Sequence, residues 1–237
     1  MNQNPRLCNF CDNPANSKEH VWSTWMHGLL KTGPALGYNN PIVTSFPDGT
    51  TTTSGPTNKP GSVFNIRIRA VCSTCNTGWM NRIEGKVKPF LTYMITGDPI
   101  TINSEQMLFL SRWCALKFIV LEHSKVGESV TPRSDRIAFR ENGTIPPYFH
   151  IYAGNHTSQT RSGAVRHAGT FSLTDERPPA SLDGSGPNTQ TISIILGRLF
   201  LHLNATRVGG FKIEDDTNII PIWDRCRIWP DANASLT

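Results

Sequence analysis

Residues 7–22 read LCNFCDNPANSKEHVW, and this stretch decides how the N-terminal part of the chain folds. Cys8 and Cys11 are separated by two residues, and the acidic Glu19 is followed directly by His20. Asn, Pro and Asp after the second cysteine favour a short turn that folds the chain back on itself. One Cys-x-x-Cys pair is ambiguous, because zinc sites and redox proteins share it, so the rest of the chain must decide between them.

A second pair, Cys72 and Cys75, follows in the string VCSTCN, residues 71–76. Four thiolates can complete the tetrahedral coordination of a zinc ion, with zinc–sulfur distances of ~2.3 Å. The residues MNQNPRLCNF carry no apolar core of the signal-peptide type, which predicts a cytoplasmic protein and favours metal binding over disulfides. The two pairs therefore predict a structural zinc site. The remaining cysteines, Cys114 and Cys226, are interpreted as ordinary thiols.

Three residues close to the cysteine pairs in the sequence, Glu19, His20 and Asn76, carry side chains that could bind a second metal ion or accept a proton. Glu19 and Asn76 offer a carboxylate and an amide oxygen, which are the ligands that a hard divalent cation prefers. If Glu19 and His20 lie in extended backbone, their side chains point to different faces, so His20 can accept a proton from water beside the metal. Metal-assisted hydrolysis of a phosphodiester needs this division of roles.

These motifs resemble those of the HNH, or ββα-metal, nucleases, in particular the endonuclease VII-like members with a four-cysteine zinc site. The resemblance covers residues 7–95 and rests on the strings CNFC, KEHV and VCSTCN. It implies that His20 is the general base and that Glu19 and Asn76 bind a catalytic Mg²⁺ or Mn²⁺. It also implies a nucleic-acid substrate, with DNA favoured over RNA, and a structural zinc held by Cys8, Cys11, Cys72 and Cys75.

The charge of the chain is compatible with a polyanionic partner. The formal net charge is +5, and most of the positive excess lies in residues 1–103, together with the cysteine motifs. Basic residues on the strand before Cys72 and on the helix after Cys75 are candidates for phosphate contacts. These candidates are Arg67, Arg69, Arg82 and Lys86.

The N-terminal elements can be predicted from periodicity. Residues 33–61 are rich in Gly, Pro, Thr and Asn and read as a long excursion that includes a hairpin. Residues 62–72 predict a strand that leads into Cys72. Apolar residues then recur at helical spacing, which predicts a helix from about Thr77 that is interrupted or kinked near Pro89.

The C-terminal elements have a different character. Asn103 and Gln106 predict a capping box for a helix that runs to about His123. Residues 107–121 are apolar but include two cations, so they are too short and too charged to span a bilayer. Four strand-like runs follow, at residues 147–154, 168–174, 191–197 and 199–206.

The sequence thus predicts an α+β protein with two domains. The resemblance implies that residues 1–97 form a zinc-tied ββα-metal domain, and the patterns in residues 104–237 predict a long helix and an antiparallel sheet. The second domain would position substrate, bind a protein partner or form a homodimer. No membrane association is predicted.

Several alternatives remain open at this point. The whole protein could be a non-catalytic zinc module that binds nucleic acid or a protein partner, or a thiol redox protein that uses one cysteine pair. Asn76 could be the N-cap of the following helix. Glu84, eight residues after Asn76, could be a third ligand or could support the ligands, although a solvated helical glutamate is favoured.

Overall fold

The computed structural model shows helices combined with antiparallel sheets, so the predicted α+β class is confirmed. The structure describes residues 6–30, 42–45, 50–54, 66–124, 129–156, 162–170, 186–209 and 226–230. Among these residues, no helix combines the length and the apolarity that a membrane span requires.

The N-terminal part is built on a short pair of antiparallel strands. Strand β1, Ser17–His20, pairs with β4, Arg67–Val71, and places Glu19 opposite Ile68. A 3-10 helix, Thr24–Gly28, follows β1. The predicted hairpin is present as β2, Ile42–Ser45, paired with β3, Thr51–Ser54.

Strand β4 leads directly into the helical segment that carries the second cysteine pair. Helix α1, Ser73–Cys75, starts at Cys72, whose sulfur accepts a hydrogen bond from the backbone N–H of Cys75. A π-helical turn, Asn76–Met80, joins α1 to helix α2, Asn81–Thr96. The helical segment therefore begins before the predicted Thr77.

The predicted interruption at Pro89 is wrong, because α2 continues through that residue. Pro89 and Gly85, four residues earlier, both lie on the exposed side of the helix, where water can bond the carbonyl group that the proline leaves without a donor. The irregular backbone lies instead at Gly78, with φ −91° and ψ −108°. The interruption of regular helical backbone thus lies next to the cysteine pair, and the alternative of a kink at Pro89 stays a prediction.

The long helix and its cap are confirmed. Helix α3, Ser104–Glu122, begins with a capping box in which the side chains of Asn103 and Gln106 each accept a backbone hydrogen bond of 2.9 Å from the other residue. Helix α3 packs against α2 and β4 as well as against the C-terminal sheet, so it is buried along most of its length.

A five-stranded antiparallel sheet covers the other side of α3, with strand order β6-β7-β8-β5-β9. Three predicted runs are strands, whereas the prediction for residues 168–174 largely falls outside the described residues, and β6 lies earlier in the chain. Helix α4, Arg133–Asn142, was not predicted. The strands are β5, Phe149–Asn155, β6, Gly163–Gly169, β7, Thr189–Leu196, β8, Leu199–Thr206, and β9, Arg227–Trp229.

The sheet is joined to the N-terminal part through the turn between β7 and β8. The backbone N–H of Arg198 donates a hydrogen bond of 2.8 Å to the carbonyl oxygen of Ile95 on α2. Gly197 has a φ of +58°, and a Cβ there would collide with the same carbonyl oxygen. Buried side chains from Cys8 to Ile228 form a single hydrophobic cluster, so the two predicted domains share a core, and the division between residues 97 and 104 stays a prediction.

The C-terminal end of α3 contains a partly buried histidine beside an arginine. The Nε2 atom of His123 lies 3.3 Å from Nη1 of Arg136. Burial, and then the charge of Arg136, lower the pKa of His123 to about 3. An unfolded histidine titrates near ~6.5, so the unfolded state binds a proton that the folded state excludes, and stability falls as the pH decreases from ~6.5 toward the folded pKa.

We expect the substitution His123→Gln to reduce this pH dependence. Glutamine can accept a hydrogen bond from Arg136 but does not titrate. Between pH 7 and 5 the parent protein should lose about 2 kcal/mol more of its free energy of unfolding than the variant does. Urea denaturation at the two pH values measures this difference, and equal losses in the two proteins would contradict the assignment.

Candidate metal centre and adjoining cleft

The four cysteines of the two pairs form a buried cluster. Their sulfur atoms all lie within 4.8 Å of one another, and all four are free thiols. The Sγ atom of Cys11 lies 3.6 Å from that of Cys72 and 3.7 Å from that of Cys75. Such spacing suits four sulfur ligands around a single ion. The cluster could therefore hold a structural metal such as zinc.

Backbone donors surround the sulfur atoms. The N–H of Phe10 lies 3.5 Å from the sulfur of Cys8, and the N–H of Cys75 lies 3.4 Å from the sulfur of Cys72. Burial raises the pKa of the Cys8 and Cys75 thiols. For Cys72 burial acts in the same direction, but hydrogen bonds from the Cys75 backbone and the Cys11 thiol outweigh it and lower the pKa to about 7. Four buried cysteines could all become thiolates only around a cation that neutralises them, and this donor set fits zinc.

Helix α4 holds the loop that carries the first cysteine pair. The guanidinium of Arg133 donates hydrogen bonds to the carbonyl oxygens of Cys8 and Cys11, at 3.1 and 2.9 Å, and to the carboxylate of Asp12, at 2.8 Å. Arg136 donates a further bond of 3.2 Å to the carbonyl oxygen of Asn9. Residues far along the chain thus fix the position of the N-terminal loop.

A polar cleft of about 150 Å³ lies beside the cluster, between β1 and the start of α2. The structure brings all three predicted catalytic residues, Glu19, His20 and Asn76, to this one cleft. Glu84, which was considered as a third ligand, lines it as well. Its full lining is Glu19, His20, Ser23, Thr24, Asn76, Met80, Asn81 and Glu84.

Asn76 does not cap the helix, so that alternative is wrong. Cys72 is the N-cap, and Asn76 has helical dihedral angles, φ −62° and ψ −53°. Its Nδ2 donates a hydrogen bond of 2.8 Å to the hydroxyl of Ser17 on β1. Because the amide nitrogen is used in this way, the side-chain oxygen of Asn76 remains as an acceptor at the cleft.

Glu19 is 7% exposed and forms an ion pair with a lysine from α3. Nζ of Lys117 lies 2.8 Å from Oε1 of Glu19 and 3.7 Å from Oε2 of Glu84. Oε1 of Glu84 also accepts a hydrogen bond of 2.9 Å from the indole N–H of Trp25. Glu84 is therefore held in place by two partners, and the expectation of a solvated glutamate is wrong.

His20 lies partly exposed at the edge of the cleft, opposite Arg67 in the strand pairing. Burial, and then the charge of Arg67, lower the pKa of His20 from its usual 6.5. The imidazole is consequently neutral near pH 7, and a neutral imidazole is the form that can accept a proton.

The four predicted phosphate-binding residues are all exposed. Arg67 is close enough to the cleft for its charge to act on His20. The ammonium of Lys86 instead lies 5.6 Å from the ring centre of Phe109 on α3. Contacts of Arg67, Arg69, Arg82 and Lys86 with phosphate groups stay a prediction.

Sequence reasoning missed two residues that organise the cleft, Ser17 and Lys117. A signal for Lys117 was present, because it is a cation in the middle of the apolar run CALKFIV, residues 114–120. A lysine is almost never fully buried without a partner, so its position in a buried helix indicates a carboxylate elsewhere in the fold. Nothing in the local sequence identifies Glu19 as that carboxylate.

Comparisons of the chain with protein-family models, with curated proteins and with solved structures found no match. A functional assignment consequently depends on the motifs and on the geometry of the cleft.

Proposed function

We propose that the protein is a metal-dependent endonuclease of the HNH type that hydrolyses phosphodiester bonds in nucleic acid, with DNA favoured by the resemblance. One observation carries this proposal: Glu19 and His20, on a β-strand pair, line the same cleft as Asn76, which lies in the helical segment that follows. The cysteine cluster beside the cleft supports it, because that cluster ties the strand pair to the helix.

The donor atoms at the cleft fit a hard divalent cation. Glu19 keeps its Oε2 and Asn76 its side-chain oxygen, while the sulfur ligands are confined to the neighbouring cluster. Oxygen ligands suit Mg²⁺ or Mn²⁺, and sulfur ligands suit zinc. A bound Mg²⁺ or Mn²⁺ stabilises negative charge on the scissile phosphate and on the leaving oxygen.

The residues of the chain supply the remaining functions. Neutral His20 accepts a proton from the water that attacks the phosphorus atom. The backbone carbonyl of His20 accepts a hydrogen bond of 3.3 Å from Lys117, which fixes the strand under the imidazole. Arg67, exposed and opposite His20, offers a positive charge to a phosphate oxygen beside the cleft.

A plasmid assay tests the proposal directly. Purified protein incubated with supercoiled plasmid and Mg²⁺ or Mn²⁺ should produce nicked and linear forms, and EDTA should prevent this. Parallel reactions with single-stranded DNA and with RNA identify the preferred substrate. Cleavage that continues in EDTA, or the absence of cleavage in all three substrates with either metal, would contradict the proposal.

A second candidate is the non-catalytic zinc module that binds nucleic acid or a protein partner. The ion pair between Glu19 and Lys117 favours this candidate, because buried carboxylates with a lysine partner are also found in purely structural roles. A module of this kind would bind labelled DNA in a fluorescence-anisotropy titration without dependence on Mg²⁺ or Mn²⁺, and would release no product.

A further inference from the structure

Lys117 is the least expected group at the cleft. Its side chain is 1% exposed, although it lies on a helix whose other buried residues in this region are apolar. Transfer of an ammonium group from water into such an environment is unfavourable unless it is paired and hydrogen-bonded. The burial of Lys117 must therefore be explained by the groups that pair with its ammonium group.

In the part of the chain that the structure describes, the hydrogen-bond and ion-pair partners of the Lys117 ammonium group are groups of the cleft and of its walls. It lies 2.8 Å from Oε1 of Glu19, 3.3 Å from the carbonyl oxygen of His20 and 3.7 Å from Oε2 of Glu84. Lys117 thus donates two hydrogen bonds, to Glu19 and to the carbonyl group of His20, and the carboxylate of Glu84 adds a longer ion pair. Among the described residues no hydrogen bond reaches Oε2 of Glu19, so the lysine occupies one oxygen of that carboxylate and leaves the other available.

The same arrangement sets the charge of the cleft. Two carboxylates, those of Glu19 and Glu84, are opposed by one ammonium, so the three side chains together carry a single negative charge. A divalent cation held there would give a net positive charge, which a phosphodiester can neutralise. Without the lysine, the cation would balance the two carboxylates and attract a phosphate less.

We propose that Lys117 is a positioning residue for the divalent cation: it directs one oxygen of Glu19 into the cleft and weakens cation binding there. This inference rests on the proposed nuclease function. It assigns to α3, a helix outside the motifs, a direct effect on the metal site.

The inference predicts two opposite effects of the substitution Lys117→Met. Removal of the ammonium abolishes its repulsion of the cation, so Mn²⁺ should bind roughly tenfold more tightly. The Glu19 carboxylate also loses its fixed orientation, so cleavage at saturating Mn²⁺ should slow by about tenfold or more. If Lys117 only stabilised the core, its replacement by methionine would not tighten the binding of Mn²⁺.

Isothermal titration of zinc-loaded protein with Mn²⁺, without nucleic acid, measures the first effect. Lys117→Arg keeps the positive charge and should bind Mn²⁺ within about threefold of the parent protein. Lys18→Met is the matched control, because Lys18 precedes Glu19 on β1 but is exposed and does not line the cleft, so its Mn²⁺ affinity should not change. Unchanged or weaker binding in Lys117→Met would overturn the inference.

A second measurement needs no substitution in the protein studied and so remains valid if Lys117→Met does not fold. A buried ammonium in slow exchange gives an ¹⁵N–¹H NMR signal, which the Lys117→Arg spectrum assigns. Titration with Mg²⁺ should shift this signal while its intensity persists, because lysine and metal bind different oxygens of Glu19. A signal that disappears, as in direct competition, or that does not move, would overturn the inference.

The titration and the cleavage assay distinguish failure of the proposed function from failure of the role of Lys117. A parent protein that binds no Mn²⁺ in the titration refutes the metal-dependent function and this inference with it. A parent protein that binds Mn²⁺ and cleaves DNA, combined with an unaffected Lys117→Met variant, refutes only the role of Lys117.

Discussion

The substitution His20→Ala should reduce metal-dependent cleavage by at least about 100-fold, because a general base contributes a factor of this order or more. The expected loss is specific to the chemical step. His20 lies at the edge of the cleft and is only partly buried, so its removal creates no cavity in the core. The thermal unfolding midpoint, the zinc content and the Mn²⁺ affinity should all stay close to those of the parent protein.

Single-turnover cleavage of plasmid at saturating Mn²⁺ is the appropriate measurement, because it separates chemistry from product release. His167→Ala is a suitable control, since His167 is an exposed histidine on β6 and does not line the cleft. Added imidazole should restore part of the activity of His20→Ala but should not change that of the parent protein. A His20→Ala rate within a few fold of the parent rate would exclude His20 as the base.

The parts of the site that the sequence predicted are those where chemistry restricts the residue type. Four sulfur ligands must be cysteines, and two Cys-x-x-Cys pairs allow few arrangements around one ion, so a shared cluster follows from the spacing. Strand pairing and a helix start then place Glu19, His20 and Asn76 within reach of one another. The cap at Asn103 could be predicted for a similar reason, because only a few side chains satisfy the first N–H groups of a helix.

The partners that reach the site from the C-terminal part could not be predicted. Lys117 and Glu19 are 98 positions apart, and the pair depends on how α3 packs against β4. Arg133 contacts Cys8, in the first cysteine loop, across a separation of 125 positions. Such pairs depend on how the whole core packs. Hydrophobic periodicity predicts which face of a helix or strand is buried, but it does not predict which element packs against that face.

The helix after the second cysteine pair shows a different limit of sequence-based prediction, which concerns proline. Proline suggested a break at Pro89, yet the observed irregularity lies at Gly78, where the chain turns from the cysteine cluster into α2. A proline inside a helix removes one backbone hydrogen bond and crowds the carbonyl group four residues earlier, but on an exposed face water can bond that carbonyl group, and the helix continues here. The low helix propensity of proline does not indicate whether the residue will lie on an exposed or a buried face.

Loss of the zinc ligands should have the largest effect on folding. We expect the substitution Cys75→Ser to abolish stoichiometric zinc binding and to lower the thermal unfolding midpoint by about 10 °C or more. The reason is the small size of the unit that the metal would tie together. Strands β1 and β4 have four and five residues, and a two-stranded sheet of this length is marginal without further support.

Cys226→Ser is the matched control for this substitution. Cys226 is a free, partly buried thiol outside the cluster, so its replacement should leave zinc content and the unfolding midpoint nearly unchanged. Elemental analysis of the purified variants and thermal denaturation followed by circular dichroism provide the two readouts. Full zinc content in Cys75→Ser, with an unchanged midpoint, would show that the cluster does not bind the metal.

Loss of zinc should also abolish cleavage, because hydrogen bonds connect the cysteine cluster to the residues of the cleft. Asn16 accepts a hydrogen bond of 2.8 Å from the backbone of Ser73, and Ser17 holds the side chain of Asn76, so the cluster and the cleft share one short stretch of chain. When the cluster is lost, Asn76 and Glu19 no longer have a fixed separation. Excess Mn²⁺ should therefore fail to restore activity in Cys75→Ser, whereas it should restore activity to parent protein treated briefly with EDTA. Recovery of Cys75→Ser by Mn²⁺ alone would mean that the cleft is organised without the zinc cluster.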